Sequence, residues 1–263
     1  TDRPGKVDGD GSVLQARYAT YRPSRIMTNK PQNTPIRSTE IRKVNERILL
    51  RMLHERGPLS QADLASETGL QASTVFRIFA NLEERGIIRE VEPQQPEETK
   101  KGRKPAYYAL NPRAGYVVGV DLATGQAAVL LVDFSGRPVR ETTIPLGADE
   151  DGTHAIDRLI TAVREILRES EVQTEELLGV GIGAPGVVDI ERGTVVYYAR
   201  FPGMEGVPIR DIMSDALGVP VLVHNNASVL ALSEFRYGRA QGMNSLVAFL
   251  FRAGVGGAYV NNG

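Results

Sequence analysis

Cysteine is absent from this sequence, which excludes disulfides and every thiolate-ligated metal or cluster within it. Histidine is nearly absent too. His54, His154 and His224 are the only three and lie far apart, so a histidine-based metal site is not expected. No apolar run approaches the roughly 18 residues that a membrane-spanning helix requires. The first residues hold no apolar signal core. No cofactor is implied, and a reducing, cytoplasmic setting is the expectation.

What is present is ordinary in bulk and unusual in distribution. Hydrophobic residues make up 41% and charged ones 24% of 263 residues, enough for a substantial core and for two domains. The net charge of -1 hides an asymmetry. Through Lys104 there are about 19 lysines and arginines against about 14 acidic residues, leaving about 12 against 18 beyond it. A basic front and acidic back suit a nucleic-acid reader joined to a small-molecule domain. Residues 1–37, rich in Gly, Pro, Arg and Asn, have no sustained apolar period and read as a disordered arm.

From Glu40 to Glu55, Ile41, Val44, Ile48, Leu49, Met52 and Leu53 recur at helical spacing, and Gly57-Pro58 ends the run. Ser60, with Asp63 three residues on, forms a capping-box pattern for a short second helix, whose Ala62, Leu64 and Ala65 face inward. Gly69 supplies the left-handed stop of a tight interhelical turn. A third helix from Ala72 to Arg85 carries Val75, Ile78, Phe79 and Leu82 on one face, and Gly86 terminates it. Its opposite face presents Ser73, Thr74, Arg77 and Asn81, residue types that reach base edges or phosphates from a helix in the major groove. Gln71 stands where Ser or Asp would cap better. Phe76 sits on or near the same face, to meet a thymine methyl or to pack against the wing.

Alternating residues from Ile87 to Glu92 and from Ala106 to Leu110 form a hairpin, with Lys100-Lys101-Gly102-Arg103-Lys104 near its base. Helix, helix-turn-helix and basic hairpin make a winged helix, residues 38–112, whose Arg103 can enter a minor groove. The expected partner is double-stranded DNA. The expected contacts are Ser60, Gln61, Gln71, Ser73, Thr74 and Arg77 from the helices, with Lys101, Gly102, Arg103 and Lys104 from the wing.

Beyond Pro112 the pattern becomes α/β. Strands at Tyr116–Leu122 and Ala127–Phe134 and a third ending near Leu146 form a meander. Helix Thr153–Ser170, strand Leu178–Gly183, helix Ile209–Leu217, strand Val219–His224 and helix Asn226–Tyr237 then alternate. This is the order of a ribonuclease-H-like lobe, residues 113–242. The strand–glycine–strand opening returns at 243–263, the first hairpin of an incomplete second lobe.

Three stretches carry a specific resemblance. They are Leu110-Asn111-Pro112 with Gly115–Asp121, then Gly181–Asp189, then Gly218–Val221 running into Asn225–Glu234. Together with the winged helix, they resemble the ROK family of repressors and sugar kinases, in its xylose and N-acetylglucosamine repressor branch. The resemblance implies an actin-like sugar-kinase fold. In kinase members it implies phosphoryl transfer to a sugar hydroxyl, needing a carboxylate base and glycine turns that approach phosphate.

This sequence departs at each of those places. The first phosphate turn, D-x-G-G-T-K in the family, reads Asp121-Leu122-Ala123-Thr124-Gly125-Gln126. The base of the family's N-D-A-N run is Asn226 in Asn225-Asn226-Ala227-Ser228, and an amide does not accept that proton. The second turn, G-T-G-I-G-G, reads Arg252-Ala253-Gly254-Val255-Gly256-Gly257. Met204 stands where the family has Trp, and its cysteine zinc cluster cannot form here. Two readings of Asn225 and Asn226 stand side by side: with Gly186 they hold sugar hydroxyls, or they cap the following helix, a role for which Asn226 is well placed.

The expectation is therefore a non-enzymatic, homodimeric DNA-binding regulator with a carbohydrate-sensing lobe. A sugar kinase with an appended regulatory module, and a lobe serving only to dimerise the DNA reader, are the rivals.

Overall fold

A computed structural model describes residues 38–92, 105–147, 150–198 and 200–263. The expected arm and the wing residues Lys101, Gly102, Arg103 and Lys104 lie outside the described residues.

Helix α1 spans Ser38–Arg56, and Gly57, at φ +85, turns the chain out of it. Two residues later Leu59–Ser60 form a short strand, β1, that the apolar pattern does not reveal. Ser60 ends β1 and caps α2, Gln61–Thr68. Its hydroxyl accepts from Asp63 N–H at 3.2 Å, and its own N–H donates to the Asp63 carboxylate at 3.1 Å. Gly69, at φ +68, makes the left-handed exit.

Helix α3, Ala72–Glu84, follows without a side-chain cap at Gln71. Its amphipathic face buries Val75, Ile78, Phe79 and Leu82. Gly86, again left-handed, reverses the chain into β2, Ile88–Val91, which pairs antiparallel with β3, Tyr107–Leu110. The sheet order is β1-β3-β2. Its core joins Leu49 and Leu53 of α1, Leu64 of α2 and the α3 stripe, with the Phe79 and Tyr108 rings edge-to-face at 5.0 Å.

Two expectations fail here. Ile41, Val44 and Ile48 belong to the α1 stripe by spacing but are exposed, because only the C-terminal half of the stripe meets the core. Ala62 is exposed as well, since α2 is so short that Leu64 alone is fully buried.

Asn111 latches the winged helix to the start of the α/β lobe. Its amide donates to Gly86 C=O at 2.7 Å, and its oxygen accepts from Arg113 N–H at 3.2 Å. Then come β4 (Tyr116–Ala123), β5 (Gln126–Asp133) and β6 (Pro138–Pro145), an antiparallel meander. Strands β7 (Leu177–Ala184) and β10 (Val221–Asn225) add in parallel, giving the order β10-β7-β4-β5-β6. This is the ribonuclease-H-like sheet that the strand order implied.

Helix α4, Gly152–Glu169, packs Ile156, Leu159, Val163 and Ile166 on the meander, and α5, Ile209–Leu217, adds Ile209 and Met213. A second hairpin, β8 (Val187–Asp189) with β9 (Thr194–Tyr197), escapes the sequence reading because its strands are three and four residues long. Helix α6, Asn226–Arg236, rests on β7 at Gly183, where a Cβ would lie 3.5 Å from the Asn226 Cα. The closing hairpin, β11 (Ser245–Phe251) and β12 (Val255–Asn261), packs one face on α6. The other face exposes Val247, Phe249, Phe251, Val255 and Tyr259. Among the described residues, no helix is long and apolar enough to cross a membrane.

Candidate nucleic-acid interface and effector cleft

The outward face of α3 is polar in the middle of an otherwise well-packed domain. Gln71, Ser73, Phe76 and Arg77 are exposed, and Thr74 is half-buried at the edge. Ser73, Phe76, Arg77 and Ala80 follow i, i+3, i+4, i+7 spacing, so they share one stripe opposite the buried one. Arg77 makes no ion pair among the described residues. Asn81, by contrast, is held by Arg85, which also binds Glu46 at 2.8 Å. Phe76 is 61% exposed, a large apolar ring among polar neighbours.

The α2 candidates divide differently. Ser60 is only 4% exposed and its hydroxyl is committed to the capping box, so it is withdrawn from the surface. Gln61 is half-buried, beside the Tyr108 phenol. Burial pushes that phenol up, Glu83 and Glu90 push the same way, and the Gln61 side chain opposes them.

The C-terminal ends of β4, β7 and β10 carry the second group of candidate residues. Asn225, not Asn226, is the helix cap. Strand β10 runs one residue further than its apolar pattern, so the α6 cap falls on Asn225, whose oxygen accepts from Ser228 N–H at 3.1 Å. Its amide donates to Gly186 C=O at 2.8 Å. Asn225 thus spends one amide N–H and its oxygen on holding the chain together. Asn226 is half-buried, and its side chain makes no hydrogen bond among the described residues. Gly186 has φ +79, and a Cβ there would lie 2.2 Å from Tyr197 C=O, so glycine alone permits this approach.

Beside it, Thr124 and Tyr198 share a hydrogen bond of 2.7 Å across a small apolar pocket lined by Leu122, Pro185, Phe201 and Met204. Arg252 supplies what motif reasoning missed. Its guanidinium grips Asp121 with both nitrogens, Nη1–Oδ1 at 3.1 Å and Nη2–Oδ2 at 2.6 Å. Those hydrogen bonds raise the Arg252 pKa; partial burial works against them, and the Asp121 charge adds to the rise. The first acid of one turn is therefore paired with the first residue of the other. A side chain 131 positions away has no periodic signature.

Residues 117–263 match the ROK family, and residues 45–93 match the MarR family. The chain belongs to the ROK family. It is 25% identical over 225 residues to the xylose repressor of Bacillus spizizenii, covering 85% of this chain and 57% of that protein. It is 22% identical over 232 residues to the DNA-binding transcriptional repressor Mlc of Escherichia coli, covering 88% and 56%. Its span is thus a little over half the length of these relatives.

Among solved structures, a ROK family transcriptional regulator homologous to Escherichia coli MLC superposes with TM-score 0.66 at 22% identity. The match covers 84% of this chain and 55% of that one. At that identity the likeness establishes the fold: a winged helix followed by a ROK sugar-kinase-like lobe. A ROK glucokinase from Streptomyces griseus superposes with TM-score 0.50 at 28% identity, covering 57% of this chain and 46% of that one. This ROK chain therefore has likenesses to both repressors and kinases, and the two curated relatives compared above are repressors.

Proposed function

We propose that this chain is a sequence-specific, DNA-binding transcription regulator of carbohydrate metabolism, with residues 38–112 as the DNA reader and 113–242 as a non-catalytic, effector-sensing lobe. The observation that carries the reading is the α3 face. Ser73 and Arg77 stand exposed on the second helix of a helix-turn-helix pair, where Arg77 can meet phosphate or guanine. The xylose repressor and Mlc relatives, and the basic wing segment 100–104, support it. Double-stranded DNA is the partner. A homodimer presenting two α3 helices one helical turn apart suits a two-fold operator.

The absence of phosphoryl transfer is supported by two groups in the cleft. Asn226 offers an amide where a general base needs a carboxylate, and Asp121 is already held by Arg252. Asn225 is partly committed to the fold, so the groups we assign to a carbohydrate effector are the Asn226 amide, the second Asn225 N–H and the backbone around Gly186.

Selection from a pool of randomised duplexes tests the reading. Enrichment of one motif, lost in Arg77→Ala, is the expected result; a pool that stays random at low salt defeats it. Release of ADP from ATP and a sugar panel by the unaltered chain would instead favour the kinase reading.

A further inference from the structure

Two elements run from the effector cleft to the winged helix, and each is tied at both ends. At the cleft end, the turn that opens β5 is tied to Tyr198 through Thr124, at 2.7 Å. Helix α6 is tied to Gly186 through Asn225, at 2.8 Å. Gly186 and Tyr198 in turn abut one another, a Cβ at Gly186 lying 2.8 Å from the Tyr198 Cβ. Both elements therefore start from one knot, made of Gly186 and Tyr198.

At the other end they converge again. The β5–β6 turn is held rigid by Asp133, whose carboxylate accepts from Ser135 N–H at 2.8 Å and from Arg137 N–H at 3.1 Å. Phe134 of that turn packs against the winged-helix core, and its N–H donates to Pro112 C=O at 3.2 Å. Gly136, at φ +85, comes so close to His54 of α1 that a Cβ would lie 2.7 Å from the ring Cε1. Tyr237, fixed to the end of α6 by its N–H bond to Ser233 C=O at 2.8 Å, meets the same ring edge-on, with centroids 5.5 Å apart. One side chain of the DNA reader thus touches the far ends of both elements.

We propose that His54 is the positioning residue through which the cleft acts on the DNA reader. A ligand that moves α6 against β5 at the Gly186–Tyr198 knot shifts the Tyr237 and Gly136 walls around the His54 ring, and so biases the setting of α1. This rests on the effector-cleft reading above, but its test does not need DNA or a known sugar.

The test reads amide hydrogen exchange in α1 of the whole chain. Asn225→Ala releases α6 from the knot; Thr124→Val, nearly isosteric, releases the β4–β5 turn and serves if the first variant folds poorly. Each is expected to speed exchange of the last two turns of α1 about threefold, and neither is expected to do so in a His54→Ala background. Tyr237→Ala is expected to abolish the response to Asn225→Ala while sparing that to Thr124→Val, a split that simple destabilisation does not produce. Equal responses with and without His54, or unchanged α1 exchange in the His54 chain, would overturn the proposal. Loss of DNA binding in separate titrations would sink the DNA-reader reading and leave this exchange result standing.

Discussion

Ser60 shows how much one side chain does when several roles fall on it. It ends a strand, caps a helix and is buried, and its spacing to Asp63 made the cap legible without any structure. Ser60→Ala removes the acceptor of the Asp63 N–H in the first turn of α2 and the hydroxyl donor to the Asp63 carboxylate, leaving that carboxylate only the backbone N–H of residue 60. The expected cost is about 1 kcal/mol, which corresponds to a fall of roughly 3 °C in melting temperature for a chain of this size. Thermal unfolding by circular dichroism checks it; an unchanged midpoint would show that the box contributes nothing net.

The neighbouring question at Asn225 and Asn226 was not legible. Both are amides in one run, and which one caps depends on where β10 stops, a choice set by its pairing with β7. Composition carries no record of that register.

At the scale of elements, α3 and α4 are readable because each buries one stripe of a long periodic helix. Strands β3, β4 and β5 alternate buried with more exposed residues for the same reason, whereas β2 and β6 do not. Strands β1, β8 and β9 are too short to show a period, and the exposed half of the α1 stripe shows that spacing reports a face, not what covers it.

The Arg252–Asp121 pair belongs to this scale, since it joins the β11–β12 hairpin to the five-stranded sheet. Exposed pairs usually contribute about 0–1 kcal/mol, and bidentate geometry places this one toward the upper end. Arg252→Met is therefore expected to speed exchange of β12 amides about threefold to fivefold, and adding Asp121→Asn is expected to change little more. Additive effects would mean that the two side chains act separately.

For the molecule as a whole, the charge asymmetry in the sequence now has a location. The basic front half includes the α3 face with its exposed Arg77, and the acidic remainder includes the ROK lobe. Family membership comes from the lobe; the DNA reading rests on a helix face of a few residues. Contacts to phosphate release counterions, so such binding must weaken steeply with salt.

The most direct measurement is fluorescence anisotropy of a selected duplex titrated with the chain at about 50 and about 200 mM salt, alongside Arg77→Ala. The expected outcome is affinity falling by a factor of about a hundred or more across that range. Arg77→Ala is expected to bind roughly tenfold or more weakly at either salt, with unchanged thermal stability. Binding that is insensitive to salt, or indifferent to Arg77, would contradict α3 as the DNA-reading helix.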